Sequence, residues 1–201
     1  MASFLSRWSP EMANRAFSNA RSAYDSGNYS VALKGFERLA KQGHSTAQML
    51  AGLMYHQGEG VSVDHKEGAR WIKLAADSGN PEAQFNLGVM YEDSVGVPHC
   101  YAEAVRWYRL SAQRGERRAQ GNLASLFQRG FGVDKNEVIA AWWALLAADQ
   151  GDTVGQMHIA QRYLAGLGVE QDSIKAYIWI ELPPKRTIRM RSPKKKTGTK
   201  G

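Results

Sequence analysis

Four stretches of this chain align one beneath another without a gap, each displaced from the last by 36 residues. They are AQMLAGLMYHQGEGV from Ala47, AQFNLGVMYEDSVGV from Ala83, AQGNLASLFQRGFGV from Ala119 and GQMHIAQRYLAGLGV from Gly155. An aromatic column runs Tyr55, Tyr91, Phe127, Tyr163, and a glycine column, each member followed by Val, runs Gly60, Gly96, Gly132, Gly168. The register persists further on, in Trp71, Trp107, Trp143 and Trp179. A period of this length marks a stacked array. One short unit cannot bury its own apolar face, so its neighbour must cover it.

Each unit reads as helix, turn, helix. Ala47, Ala51 and Tyr55 lie at i, i+4 and i+8 and make one stripe, with small Ala51 and Gly52 allowing a close neighbour. GEGVSVD breaks the helix, and its glycines permit positive φ. A second helix is expected from about Lys66 to Ser78, with Ala69, Ile72 and Ala76 on a face shared with Trp71 and Ala75. Gly43, Gly79, Gly115 and Gly151 stand where helices end in a left-handed residue. An N-terminal unit, SAYDSGNYSVALKGFERLAKQG, has a turn shorter by five residues and resembles a tetratricopeptide repeat. The fold class expected is all-α: a right-handed α/α superhelical solenoid of antiparallel helix pairs. The array spans residues 11–182 in units 11–45, 46–81, 82–117, 118–153 and 154–182, the last one truncated. Residues 1–10 form a flank.

These columns resemble the Sel-one-like repeat family, most fully at residues 83–115 and 47–79. The departures are Ser94 for the first turn glycine, Ala124 for the helix glycine, Gly155 for Ala, and an alanine of the second helix that shifts by one position (Ala69, Ala104, Ala140). The resemblance implies an α/α superhelix that mediates protein–protein contacts, often as a scaffold of membrane-associated or signalling assemblies, with no shared catalytic residues. In the last unit the register calls for Ala, Ala and Gly at positions held by Pro183, Pro184 and Thr187. Proline cannot continue a helix, so the last helix is expected to stop near Leu182. Three alternatives follow for that end: the tail covers it, a partner covers it, or the C-terminus is aberrant.

Reactive chemistry finds no constellation. GEGV, SVGV, GFGV and GLGV do not continue to the Lys-Ser/Thr of a phosphate loop, and four copies at one period read as turns. His44, His56, His65, His99 and His158 never pair at i+3 or i+4, and His99–Cys100 reads as a surface turn. One cysteine makes no intramolecular disulfide, and a Cys-based zinc site needs more thiols. No cofactor, no metal and no catalytic residue is expected. The tryptophan column reads as packing, with Trp142 off-column as a partly exposed anchor.

The binding reading rests on the first helix of each unit. Opposite the packed stripe lie positions 46, 49, 53 and 57 and their equivalents every 36 residues. They give a concave groove of Met49, Leu53, Gln57, Phe85, Val89, Asp93, Arg118, Ser125, Arg129, Met157 and Gln161, with Met49, Phe85 and Met157 as anchors for a protein partner.

The charge is unevenly placed. The chain of 201 residues carries 26 Lys+Arg and 19 Asp+Glu, a net +7. Residues 183–201 hold eight of those cations and no acid, so the preceding body is near neutral at −1. Lys185, Arg186, Arg189, Arg191, Lys194, Lys195 and Lys196 make this segment a basic, disordered tail. Nucleic acid or an anionic membrane is the alternative partner, through that tail alone. MASFLSRWSP has no apolar core of signal-peptide length, and the longest apolar run, 138–148, is too short to cross a bilayer. A cytoplasmic location is therefore the expectation.

Overall fold

The computed structural model describes residues 8–181, so the tail cations from Lys185 to Lys196 lie outside the described residues. Ten helices occupy the described part: α1 Pro10–Asp25, α2 Tyr29–Ala40, α3 Ser45–Gln57, α4 His65–Asp77, α5 Pro81–Asp93, α6 Tyr101–Ala112, α7 Arg117–Arg129, α8 Glu137–Asp149, α9 Thr153–Ala165 and α10 Ser173–Glu181. Each packs on its neighbours in the chain, so the pairs stack as an α/α solenoid. Helix starts follow the period because capping residues do. Asn80 and Asp152 accept from the backbone N–H three residues on at 2.9 and 2.8 Å, and Asp64, Asn136 and Asp172 do the same for second helices. Cys100 breaks this second column and offers no side-chain cap.

The tryptophans serve as packing. Trp71 is buried with Phe36, Leu39 and Met54, Trp107 with Met49, Ile72 and Leu87, and Trp143 with Tyr108, Leu123 and Ile159. Trp71 and Trp107 thus each reach back into the core of the preceding unit. Trp179 is half-buried against the Trp143 cluster.

The recurring turn glycine has a backbone reason. A Cβ built on Gly60 would lie 2.5 Å from the carbonyl carbon of Tyr29, and one on Gly132 would overlap Tyr101 and lie 2.7 Å from the Ala102 nitrogen. Gly96 and Gly168 would likewise collide with the carbonyls of His65 and Glu137. Each turn therefore rests directly on the start of the previous unit's second helix. All four glycines also hold positive φ. Two positions earlier, where Gly58, Gly130 and Gly166 end the first helices in the left-handed region, Ser94 adopts φ 60°.

The expected shift of the second-helix alanine is not a shift. Position 68 is glycine, and a Cβ there would meet the Gly52 carbonyl at 2.8 Å, so the small column runs Gly68, Ala104, Ala140, Ala176 in constant register. Ala69 is an additional small residue against the next turn at Gly96. Ala124 has a similar explanation. Gly88 lies under the Tyr108 ring, where a Cβ would approach to 2.6 Å, whereas the third unit places Ala124 and Ala144 at those two positions in one buried cluster. Volume is exchanged across the helix pair, as close packing requires.

One core position changes polarity. Met54, Met90 and Leu126 are buried, and their equivalent in the fourth unit is Arg162, 3% exposed. Its Nη1 donates to Glu137 Oε2 at 2.9 Å and to the Glu137 carbonyl at 3.2 Å. The guanidinium holds the Glu137 carboxyl below its usual range. Removing one partner of a buried pair leaves a charge uncompensated. Glu137→Ala should therefore destabilise by about 3–5 kcal/mol in denaturant titration. Arg162→Met should be close to neutral, because Glu137 keeps Lys135 at 3.1 Å and some solvent. Gly132→Ala should lose more than about 2 kcal/mol, from the left-handed cost plus the overlap. Ser94→Gly should gain about 1 kcal/mol or less by the same measurement.

Candidate binding groove on the first helices

The residues expected to form a groove lie on α3, α5, α7 and α9, and at one column the solenoid brings equivalent positions of consecutive units together. Arg118 Nη2 on α7 lies 3.9 Å from Glu82 Oε1 on α5, one repeat earlier in the same column. The Arg118 guanidinium also covers the Phe85 ring at 4.4 Å and is held from behind by Glu116 at 2.8 Å. These ionic neighbours keep Arg118 above its usual range, the Glu116 hydrogen bond being the main cause. Phe85 is half-buried and touches the Tyr108 ring, with centroids 5.8 Å apart. Acid, aromatic and cation thus adjoin on one face.

The remaining positions divide by exposure. Gln57, Asp93, Arg129 and Gln161 are exposed, and Met157 is 60% exposed. Leu53, Val89 and Ser125 are half-buried. Met49 is a correction: it is 3% exposed and packs with Ile72, Leu87, Met90 and Trp107, so it is a core residue between units rather than an anchor. The next unit's helices cover it. Arg129 lies 4.1 Å from the Phe131 ring, which directs it along its own turn. A small pocket of about 50 Å³ sits between Gln128, His158, Gln161 and Arg162.

Two arrangements escaped the reading of the residues. The first is a glutamine column. Gln48, Gln84 and Gln120 are buried, and each Nε2 donates to the carbonyl eight residues back, Ala40, Ala76 and Ala112, at 3.1, 3.1 and 3.2 Å. The Oε1 atoms of Gln84 and Gln120 accept from Arg114 and Gln150, thirty residues on. A polar residue recurring in register beside buried alanines was the signal available in the sequence. The second is a histidine pair. His56 and His65 face each other across the first long turn, Nδ1 to Nδ1 at 2.9 Å. Their separation of nine residues matches no helical spacing, because a turn lies between them. Among the described residues no group of three or more metal-ligating side chains occurs. No helix among them is long and apolar enough to cross a membrane.

Burial lowers the His56 imidazole below its ordinary value of 6.5, with His65 adding to the effect. Burial also lowers His158, assisted by Arg162. As pH falls through about 6.5, the unfolded chain takes up these protons before the folded chain does. Stability is therefore full above that value and declines on acidification until the folded-state values are passed. Tm should fall between about pH 7 and pH 5, and the double variant His56→Gln/His158→Gln should flatten that segment of the curve. An equal slope in the variant would refute the assignment.

Comparison with known proteins follows the same periodicity. A family model for the Sel1 repeat matches residues 45–80, 81–116, 117–152 and 153–182. A protective antigen of uropathogenic Escherichia coli that displays an SLR fold superposes with a TM-score of 0.81 and 32% identity over 84% of this chain. This chain spans 37% of that protein's length. A Sel1 repeat protein from Oxalobacter formigenes superposes with a TM-score of 0.79 and 27% identity, covering 88% of this chain and 74% of its own. No curated protein matches the chain. The family match begins at α3, and α1 and α2 stack against it as a further helix pair with a tighter turn.

Proposed function

The chain belongs to the Sel1 repeat family, whose members generally act as protein-interaction scaffolds, and from that premise we propose that it is a non-catalytic adaptor that captures a partner segment along the outer side of its first helices. The observation that carries the reading is the cluster of Glu82, Phe85 and Arg118, three side chains from two units on one face. An interface needs an apolar anchor flanked by polar groups that set register. Phe85 is the anchor, Arg118 and Glu82 are the flanking charges, and Met157 is a second apolar contact further along the array. Asp93, Gln57, Arg129 and Gln161 supply a polar margin. Leu53, Val89 and Ser125 form its half-buried floor. Such a surface suits an extended or helical segment of mixed character, with an acidic residue placed to compete for Arg118.

A cytoplasmic location is part of this proposal.

The test selects binders from a displayed peptide library on the full chain, then measures them against variants. Phe85→Ala with Arg118→Glu should weaken selected peptides by about tenfold or more, the loss typical of hot-spot truncation. The helical circular dichroism spectrum should stay unchanged. Peptides that bind the variant as tightly as the parent would move the site off this face.

A further inference from the structure

The outward columns of the second helices change character along the array. One column runs Lys66, Ala102, Val138, Ile174, and the next runs Arg70, Arg106, Trp142, Ile178. In the two earlier units the cations have a definite place. Arg70 lies 4.5 Å from the centre of the Trp71 ring and pairs with Glu67, and Arg106 lies 4.8 Å from Trp107 and pairs with Glu103. Each covers the outer side of a repeat tryptophan with a solvated charge. In α8 that place is taken by Trp142, whose ring meets Trp143 edge-on at 4.5 Å. The covering group has become apolar and still faces water. Trp142 is 53% exposed, Val138 65%, Ile174 74% and Ile178 50%. Nothing inside the fold requires this change, because arginine serves the same position on α4 and α6.

Large exposed apolar surface marks a contact with something outside the molecule. Charge narrows what that is. The ion pairs at the starts of these helices are local, Lys135 with Glu137 at 3.1 Å and Lys175 with Asp172 at 3.2 Å. The sequence that continues from α10 carries eight cations and no acid over residues 183–201. An anionic surface is complementary to them. Tryptophan favours the boundary between headgroups and acyl chains, and isoleucine and valine favour the apolar side of that boundary.

We propose that the outward face of α8 and α10 docks on an anionic lipid bilayer, with Val138, Trp142, Ile174 and Ile178 entering the boundary region and the following basic segment supplying the attraction. Neither signal suffices alone, since a shallow apolar patch and a polybasic run each bind weakly and reversibly. The face lies on the second helices and is independent of the groove on the first.

The test is co-sedimentation of the full chain with phosphatidylcholine vesicles and with vesicles containing about 30% phosphatidylserine. Binding is expected only to the anionic vesicles and should weaken with salt. The informative variant is Trp142→Arg/Ile178→Arg, which installs the residue that α4 and α6 carry in this column. It adds two positive charges, so attraction by charge alone predicts tighter binding, whereas docking by the patch predicts a loss of about tenfold or more. Brominated acyl chains should quench the fluorescence of the parent, and Trp142→Phe should lose most of that quenching. Three results overturn the proposal: no binding to anionic vesicles, binding undiminished in the arginine variant, or a solution dimer that the arginine variant dissociates, which would assign the face to a second copy.

Discussion

The contact on which the array depends joins backbone to backbone. In each long turn the second glycine lies against the first residues of the preceding unit's second helix, as Gly60 does on Tyr29 and Gly132 on Tyr101. No side chain fits between them, so the approach is independent of which residues the neighbouring helix carries. His65, Tyr101 and Glu137 differ in size and charge, yet each accepts the same glycine. The spacing between units is set there. The glutamine column makes the second attachment, tying the starts of α3, α5 and α7 each to the last turn of the second helix before it. Between these two attachments lie the apolar clusters, each with one buried repeat tryptophan.

Because the stacking contacts use so few positions, the two outer faces are free to vary. The first-helix face changes from Gln57 to Asp93 to Arg129 in a single column. The second-helix face changes from arginine over tryptophan to tryptophan beside tryptophan. Those changes give the two faces different chemistry along the array. The buried Arg162–Glu137 pair carries variation into the interior, where it is tolerated because Glu137 stands at the exposed start of α8.

The repeat made much of this legible. The helix pairs, the turns and the buried tryptophan column follow from the 36-residue period and from residue types whose physical role is narrow, such as glycine at positive φ and tryptophan beside alanine. The glutamine staple, the His56–His65 contact and the Arg162–Glu137 pair were not read. Each joins different elements across separations of 8, 9 and 25 residues, which a helical or repeat period does not single out. The apparent shift of the second-helix alanine had a related origin. Residue type alone favoured Ala69, but the column is defined by the small volume that the Gly52 backbone demands at position 68.

The sequence by itself determined the architecture, because periodic turns and a stripe of small residues leave stacked helix pairs as the way to bury the apolar faces. It also determined which residues share an angular column along the array, since that follows from helical and repeat spacing. Accessibility was decided only by the tertiary structure. Met49 and Met157 occupy the same column, yet one is core and the other is open surface. The helices of the next unit enclose the first, and no described helix beyond α10 does so for the second. Burial belongs to the pair of neighbouring units rather than to the residue, so it could be read only once the units were stacked.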